Sequence, residues 1–214
     1  MTEIQYTLLS DGSTDKVLMP ILTWLLHEHL PNCAVQARWP DLGRLRRPPK
    51  KLHEKIQAAV DLSPCNVIFV HRDAETASLQ DRQSEVDEAV SLACKTAAIP
   101  PAIAVVPVRM MEAWLLFDEQ AVREAAGNRN GAVDLGLPRL ADVEDIPDPK
   151  TVLHRAILAA TERGTRRRRH FEVSSAVHRI PQCMESFSPL RALTAFVALE
   201  NHIEEVIREQ RWRE

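Results

Sequence analysis

Glycine is scarce in this chain, 6 residues among 214, while hydrophobic residues make up 45% and charged residues 27%. That balance excludes collagen-like, fibrous and disordered classes and leaves an ordinary globular protein. Paired cysteines are also missing. Cys33, Cys65, Cys94 and Cys183 lie far apart with no CxxC among them, which argues against a zinc site and predicts buried, reduced thiols of a cytosolic protein. No uninterrupted apolar run is long enough to cross a bilayer. The N-terminal stretch MTEIQYTLLS has no basic region followed by a long apolar core, so no signal peptide is expected. A cytoplasmic protein without a membrane segment is the expectation. A large charge of either sign is lacking too: the net charge of -3 gives no general attraction to nucleic acid, so such affinity must come from local basic patches.

What the chain does have is alternation. Residues 4–9 read as a buried strand, and residues 14–30 carry apolar side chains at helical spacing (Val17, Leu18, Ile21, Leu22, Leu25, Leu26). Pro20 either lies in a late first turn of that helix or kinks it. Strands are expected again at 34–39, at 66–70 ("NVIFV") and at 102–108. Helices are expected at 52–62, 80–98 and 110–125. Strand–helix alternation of this kind points to an α/β fold, a parallel sheet with helices on both faces. After Gly127 the character changes to a Gly-, Pro- and Asp-rich loop. Residues 150–163, a weaker segment near 170–177, and 190–211 then look helical. The expected organisation is an α/β core over 1–126, a loop over 127–149, and a C-terminal helical subdomain over 150–214 packed on the core. The helix at 190–207 is most simply a packed terminal helix, and is equally open to being a homodimer or partner surface.

Acids fall where parallel-sheet proteins bind ligands, at the carboxyl ends of strands. Asp11 and Asp15 follow the first strand, Asp73 and Glu75 the "NVIFV" strand, and Glu112 the strand at 102–108. Carboxylates gathered at one sheet edge repel one another and are usually held by a hard divalent cation such as Mg²⁺ or Mn²⁺. Asp15 alone reads better as a helix N-terminal residue favoured by the dipole. Glu75 stands evenly between a solvated loop acid and a ligand, and His71 between a hydrogen-bonded structural residue and a catalytic one. His27 and His29 read as surface residues, Trp24 and Trp114 as core. Two basic runs flank the acids. One includes Arg46, Arg47, Lys50 and Lys51, the other Arg166, Arg167, Arg168 and Arg169. Each is a solvated face or a phosphate-gripping patch; with no aromatic interleaved, base stacking is not expected of them.

The segments "LLSDGSTDKVLMPILTWLL" and "NVIFVHRDAE", taken together, resemble the Toprim domain of topoisomerases, primases and OLD-family nucleases. That domain has an acid-glycine-x-x-Asp turn after its first strand and a D-x-D pair after a later one. "PVRMMEAWLLFD" and "DPKTVL" further resemble one bacterial Toprim-like family, often encoded beside ABC-type ATPases in a setting suggestive of phage defence. Two departures stand out. The usual first acid is Glu and here is Asp11. The later pair is replaced by His71-Arg72-Asp73-Ala74-Glu75, so that either His71 takes the first acid's place or Asp73 and Glu75 form the pair, shifted by two.

The resemblance implies a Toprim-like parallel sheet and a Mg²⁺- or Mn²⁺-dependent nuclease acting on DNA or RNA, with an ABC- or AAA-type ATPase as protein partner in an antiviral system. Asp11, Asp73 and Glu75 would ligate the metal, Asp11 or His71 would move the proton, and Glu112 would be a further ligand or support. The only tyrosine, Tyr6, sits inside the first strand, which leaves water rather than a tyrosine as the attacker. The alternative is a non-catalytic Toprim-like subunit that regulates the ATPase, its catalytic set degraded by Asp11 and His71. A weaker third is a phosphotransferase or phosphatase using the same acids on a small molecule.

Overall fold

The computed structural model describes residues 3–164, 166 and 169–213. Strands β1 (Glu3–Leu9), β2 (Ala34–Arg38), β3 (Val67–His71) and β4 (Ala102–Val105) form one parallel sheet in the order β2-β1-β3-β4. Parallel neighbours need crossovers, supplied by α1 (Leu18–His29), α2 (Leu52–Leu62) and α3 (Leu79–Ala93). The fold is the α/β class expected from the alternation. Side chains alternate across each strand. Tyr6, Leu8, Val67, Phe69, Ile103 and Val105 join α1 and the C-terminal helices in one core. Leu9, Ile68, Val70 and Ala104 pack instead with Ile56 and Ala59 of α2 and Val86, Ala89 and Ala93 of α3. Both faces of the sheet are therefore covered, which is why its strands read as near-continuous apolar runs.

Several local expectations shift. Residues 13–17 form a 3₁₀ turn before α1, so Pro20 falls in the first turn of the α-helix, where proline is tolerated. The single helix expected at 110–125 is instead a 3₁₀ turn (Met111–Leu115) followed by α4 (Glu119–Ala125). The break is chemical: the Asp118 carboxylate accepts the Ala121 N–H at 2.9 Å and starts a new helix. Asp148 does the same for α5 (Pro149–Ala160), with Pro149 at its first position. Helices α6 (Val173–Cys183) and α7 (Thr194–Glu209) follow. No helix among the described residues is long and apolar enough to cross a membrane. His29 is not a free surface residue. Its Nε2 lies 3.0 Å from Glu200 and its Nδ1 3.2 Å from Glu204, tying α1 to α7. Of the cysteines, Cys33 is buried as expected, but Cys94 is exposed.

The loop after α4 is held by polar contacts as well as by Leu135 and Val143, which are buried in the core. Glu162 accepts the N–H groups of Ala132 (2.6 Å) and Val133 (3.0 Å), and the buried Arg123 donates to the Val133 carbonyl at 2.7 Å while pairing with Glu119. A Cβ on Gly131 would sit 2.6 Å from Asn128 Nδ2 and 2.7 Å from Glu162 Oε1, so those fixed side chains would have to give way. Gly131→Ala is expected to cost about 1–2 kcal/mol in urea unfolding. Gly164→Ala, where a Cβ meets nothing within 4 Å, is expected to leave the midpoint unchanged. Equal midpoints for the two variants would show that the clamp yields freely.

Candidate functional site

The chain leaves β1 towards β2 on one side and returns through β3 to β4 on the other. The order therefore reverses between β1 and β3, and the crevice beyond their carboxyl ends is where open α/β sheets bind ligands. Here it is an open cleft of about 390 Å³ lined by Asp11, Gly12, Asp15, His71, Arg72, Asp73, Glu75 and Arg82. Convergence of acids from separate strand ends is thus present: Asp11, Asp73 and Glu75 share one cleft, together with Asp15. Glu112 stands behind it, 4% exposed, in the 3₁₀ turn after β4.

Each acid has a different environment. Asp11 is half exposed and gripped from two sides, by Lys55 of α2 and by Arg72 Nη1 at 2.7 Å. Burial pushes its pKa up, but the Lys55 hydrogen bond and the Lys55 and Arg72 charges outweigh this and hold the carboxyl below its usual value. Asp15 closes its own turn, accepting the Gly12 N–H at 3.0 Å. Asp73 accepts the Met111 N–H at 2.9 Å and lies 3.5 Å from His71 Nε2. Its pKa is raised, first by burial and then by repulsion from Asp15 and Glu75, against the opposing pull of His71 and Met111. Glu112 is raised as well, by burial and then by Asp73 and Asp15, despite its own backbone hydrogen bond and the Lys150 charge. Glu75 is exposed and only loosely paired with Arg82, at 3.5 Å.

The rim is backed by strained backbone. Glu75 (φ 52) and Arg109 (φ 62) are both in the left-handed region, which costs a non-glycine residue on the order of 1 kcal/mol or more. They are locked reciprocally: Glu75 N–H donates to the Arg109 carbonyl (2.8 Å), and Arg109 Nη1 donates to the Glu75 carbonyl (3.2 Å). His71, 4% exposed, is oriented by the Val105 carbonyl 3.1 Å from Nδ1. A carbonyl only accepts, so Nδ1 carries a proton and Nε2 faces Asp73.

Three participants escape a search for acids: Lys55, Arg72 and Arg82. Arg72 also pairs with Glu85 (3.1 Å), as does Arg82 (2.7 Å). The Nε of Arg72 and the Nε of Arg82 are buried with no hydrogen-bond partner among the described residues. A signal was available in the sequence. Lys55 and Arg82 are each the fourth residue of their helix, where the dipole disfavours a cation, so a positive charge there needs an anion to face. Arg46, Arg47, Lys50 and Lys51 are exposed on the loop before α2, and none makes an ion pair among the described residues. Arg166 and Arg169 are exposed and line neither this cleft nor its neighbour. Arg167 and Arg168 lie outside the described residues.

Among the described residues no group of three or more His, Cys, Asp or Glu side chains is arranged to hold a metal ion. Asp11 is paired with Lys55 and Arg72, and Glu75 lies 3.5 Å from Arg82. No family model, curated protein or solved structure matches the chain.

Proposed function

We propose that this protein is a metal-dependent phosphodiesterase acting on nucleic acid through a Toprim-like site, and that it serves with an ATPase partner as the effector of a bacterial anti-phage system. The ATPase and the defence role are carried by the sequence resemblance. The phosphodiesterase is carried by one observation: at the switch point Asp73 and Glu112 have no Lys or Arg ion-pair partner among the described residues, and burial first, then repulsion from neighbouring acids, holds both above the usual carboxylate pKa. Uncompensated titratable groups in a cleft mark functional sites more often than structural ones.

The donor chemistry suits a hard cation. Mg²⁺ takes one or two carboxylates and completes its shell with water and phosphate oxygens. Asp73 and Asp15 would hold it, since both line the cleft and neither has a Lys or Arg partner among the described residues. When bound, such an ion polarises a phosphoryl oxygen and lowers the pKa of an attacking water. The chain's own residues do the rest. Arg72 and Arg82, which line the same cleft, supply positive charge that stabilises the phosphate oxygens. His71, fixed by Val105, offers Nε2 to take up or return a proton beside Asp73. Tyr6 plays no part, because its hydroxyl is buried under α1 and donates to the Met19 carbonyl at 2.8 Å.

A second reading has its own observation. Asp11, clamped between Lys55 and Arg72, together with the lack of a three-acid group among the described residues, favours a non-catalytic subunit that binds phosphate or the ATPase. Incubating the protein with plasmid DNA and with total tRNA, in Mg²⁺ or Mn²⁺ against EDTA, separates the two. Cleavage is expected with metal and none with EDTA. No cleavage in any condition, with the ATPase added as well, leaves the binding subunit.

A further inference from the structure

Asp11 forms a wall between two clefts. On its far side lies a second cleft of about 380 Å³, lined by Ser10, Ser13, Trp39, Leu42, Pro48, Pro49 and Lys55 among others, with Asp11 common to both. We infer that this second cleft is a nucleobase subsite for single-stranded nucleic acid, with Trp39 as its stacking platform. The inference rests on the reading of the first cleft as a phosphodiester site and names the form of nucleic acid that reaches it.

Four features converge. Trp39 is positioned, not loose: its indole N–H donates to Ser10 Oγ at 2.9 Å, and Lys16 Nζ lies 4.0 Å from the ring centroid. A fixed aromatic ring beside cations is how proteins stack bases without sequence preference; Lys16 covers one face of Trp39, so a base stacks on the other or displaces the lysine. The basic loop that carries the exposed Arg46, Arg47, Lys50 and Lys51 supplies Pro48 and Pro49 to the same cleft, so those cations neighbour its lining in sequence. Sequence order hid this, because Trp39 precedes the run instead of interrupting it; the fold brings the aromatic and the basic loop to one cleft. Lys55 lines the second cleft and Arg72 the first, and both hold Asp11. A phosphate that displaces the exposed Asp11 carboxylate from Lys55 and Arg72 would meet both cations, at the edge of the cleft that Trp39 lines. Base-paired nucleic acid keeps its bases stacked inside the helix and has none to offer the ring.

The test is binding of an end-labelled oligothymidine, an abasic oligomer of the same length and a hairpin duplex, followed by fluorescence anisotropy in EDTA so that nothing is cut. Wild type is expected to prefer oligothymidine to the abasic oligomer and the duplex. Trp39→Ala is expected to lose on the order of tenfold to a hundredfold in affinity for oligothymidine alone, and Trp39→Phe to stay within a few-fold of wild type. Unchanged oligothymidine binding by Trp39→Ala, or an equal loss on the abasic oligomer, overturns the subsite. As a check independent of any substitution, ultraviolet crosslinking of wild type to an iodouridine-substituted oligomer should place the adduct on the Trp39 peptide. An adduct only on the peptides of Trp24, Trp114 or Trp212 overturns it. Stacking without metal-dependent cleavage would sink the phosphodiesterase and leave the subsite standing, and cleavage with Trp39-independent binding would do the reverse.

Discussion

Asp73→Asn is expected to abolish metal-dependent cleavage and at the same time to stabilise the fold. The two effects share a cause. The Asp73 carboxyl is half-buried, and burial first, then repulsion from Asp15 and Glu75, holds its pKa above the ordinary value. A carboxyl with a raised folded-state pKa costs stability once pH exceeds its unfolded value, and the full penalty is present above the folded value. Wild type should therefore lose stability relative to Asp73→Asn as pH climbs from the ordinary carboxylate range through the raised one, and the gap should be constant at neutral pH. Asparagine keeps an oxygen for the Met111 N–H, so the loop tie survives. A gain of about 1 kcal/mol is expected, or roughly 2–4 °C in Tm for a chain of this length. Removing the charge also removes the anion that would hold the cation, with a rate loss on the order of a hundredfold to a thousandfold. Urea midpoints at acid and neutral pH, with plasmid cleavage alongside, measure both. A less stable variant would mean that Asp73 serves the Met111 tie, and undiminished cleavage would place the chemistry elsewhere.

The sheet was legible because each strand is a short apolar run with both faces buried, and the helices because their apolar positions recur at helical spacing. The same patterning places Asp11 and Asp73 at strand ends. It does not place their partners. Lys55 and Arg82 are polar positions of ordinary amphipathic helices, and only the crossover geometry brings the first turns of α2 and α3 to the edge where β1 and β3 end. The acids were therefore read as a free cluster, whereas Asp11 is neutralised by two cations. The quoted motifs also hide local roles. "DPKTVL" is an Asp cap with a proline at the first helical position, and the last residue of "PVRMMEAWLLFD" is the cap that breaks the expected 110–125 helix. The basic run at 43–51 read as a bare loop because its aromatic neighbour, Trp39, lies upstream on the far side of Pro40.

The other large effect concerns whether residues 1–126 are a self-sufficient core. Trp114, fully buried, packs edge-on against Phe196 of α7 at 5.4 Å. The apolar face of α1 and one face of the sheet belong to the same core as Leu153 and Ile157 of α5, Ile180 of α6, and Leu199 and Ile203 of α7. A chain ended at Ala126 would expose that whole face, so it is expected to show no cooperative thermal transition and to bind ANS as a loosely packed state. Trp114→Ala tests the joint in the full chain, at an expected cost of about 3–5 kcal/mol, a large part of the roughly 5–15 kcal/mol that holds a typical domain together. Trp114→Phe should cost far less. It keeps a ring against Phe196 and removes an indole N–H that is buried without a hydrogen-bond partner among the described residues, a group whose burial is itself unfavourable. Cooperative folding of the 1–126 chain, or a mild Trp114→Ala, would make the C-terminal helices an appendage; the expected result makes them the cover of one face of the sheet, without which Trp114 and the core beneath it have nothing to pack against.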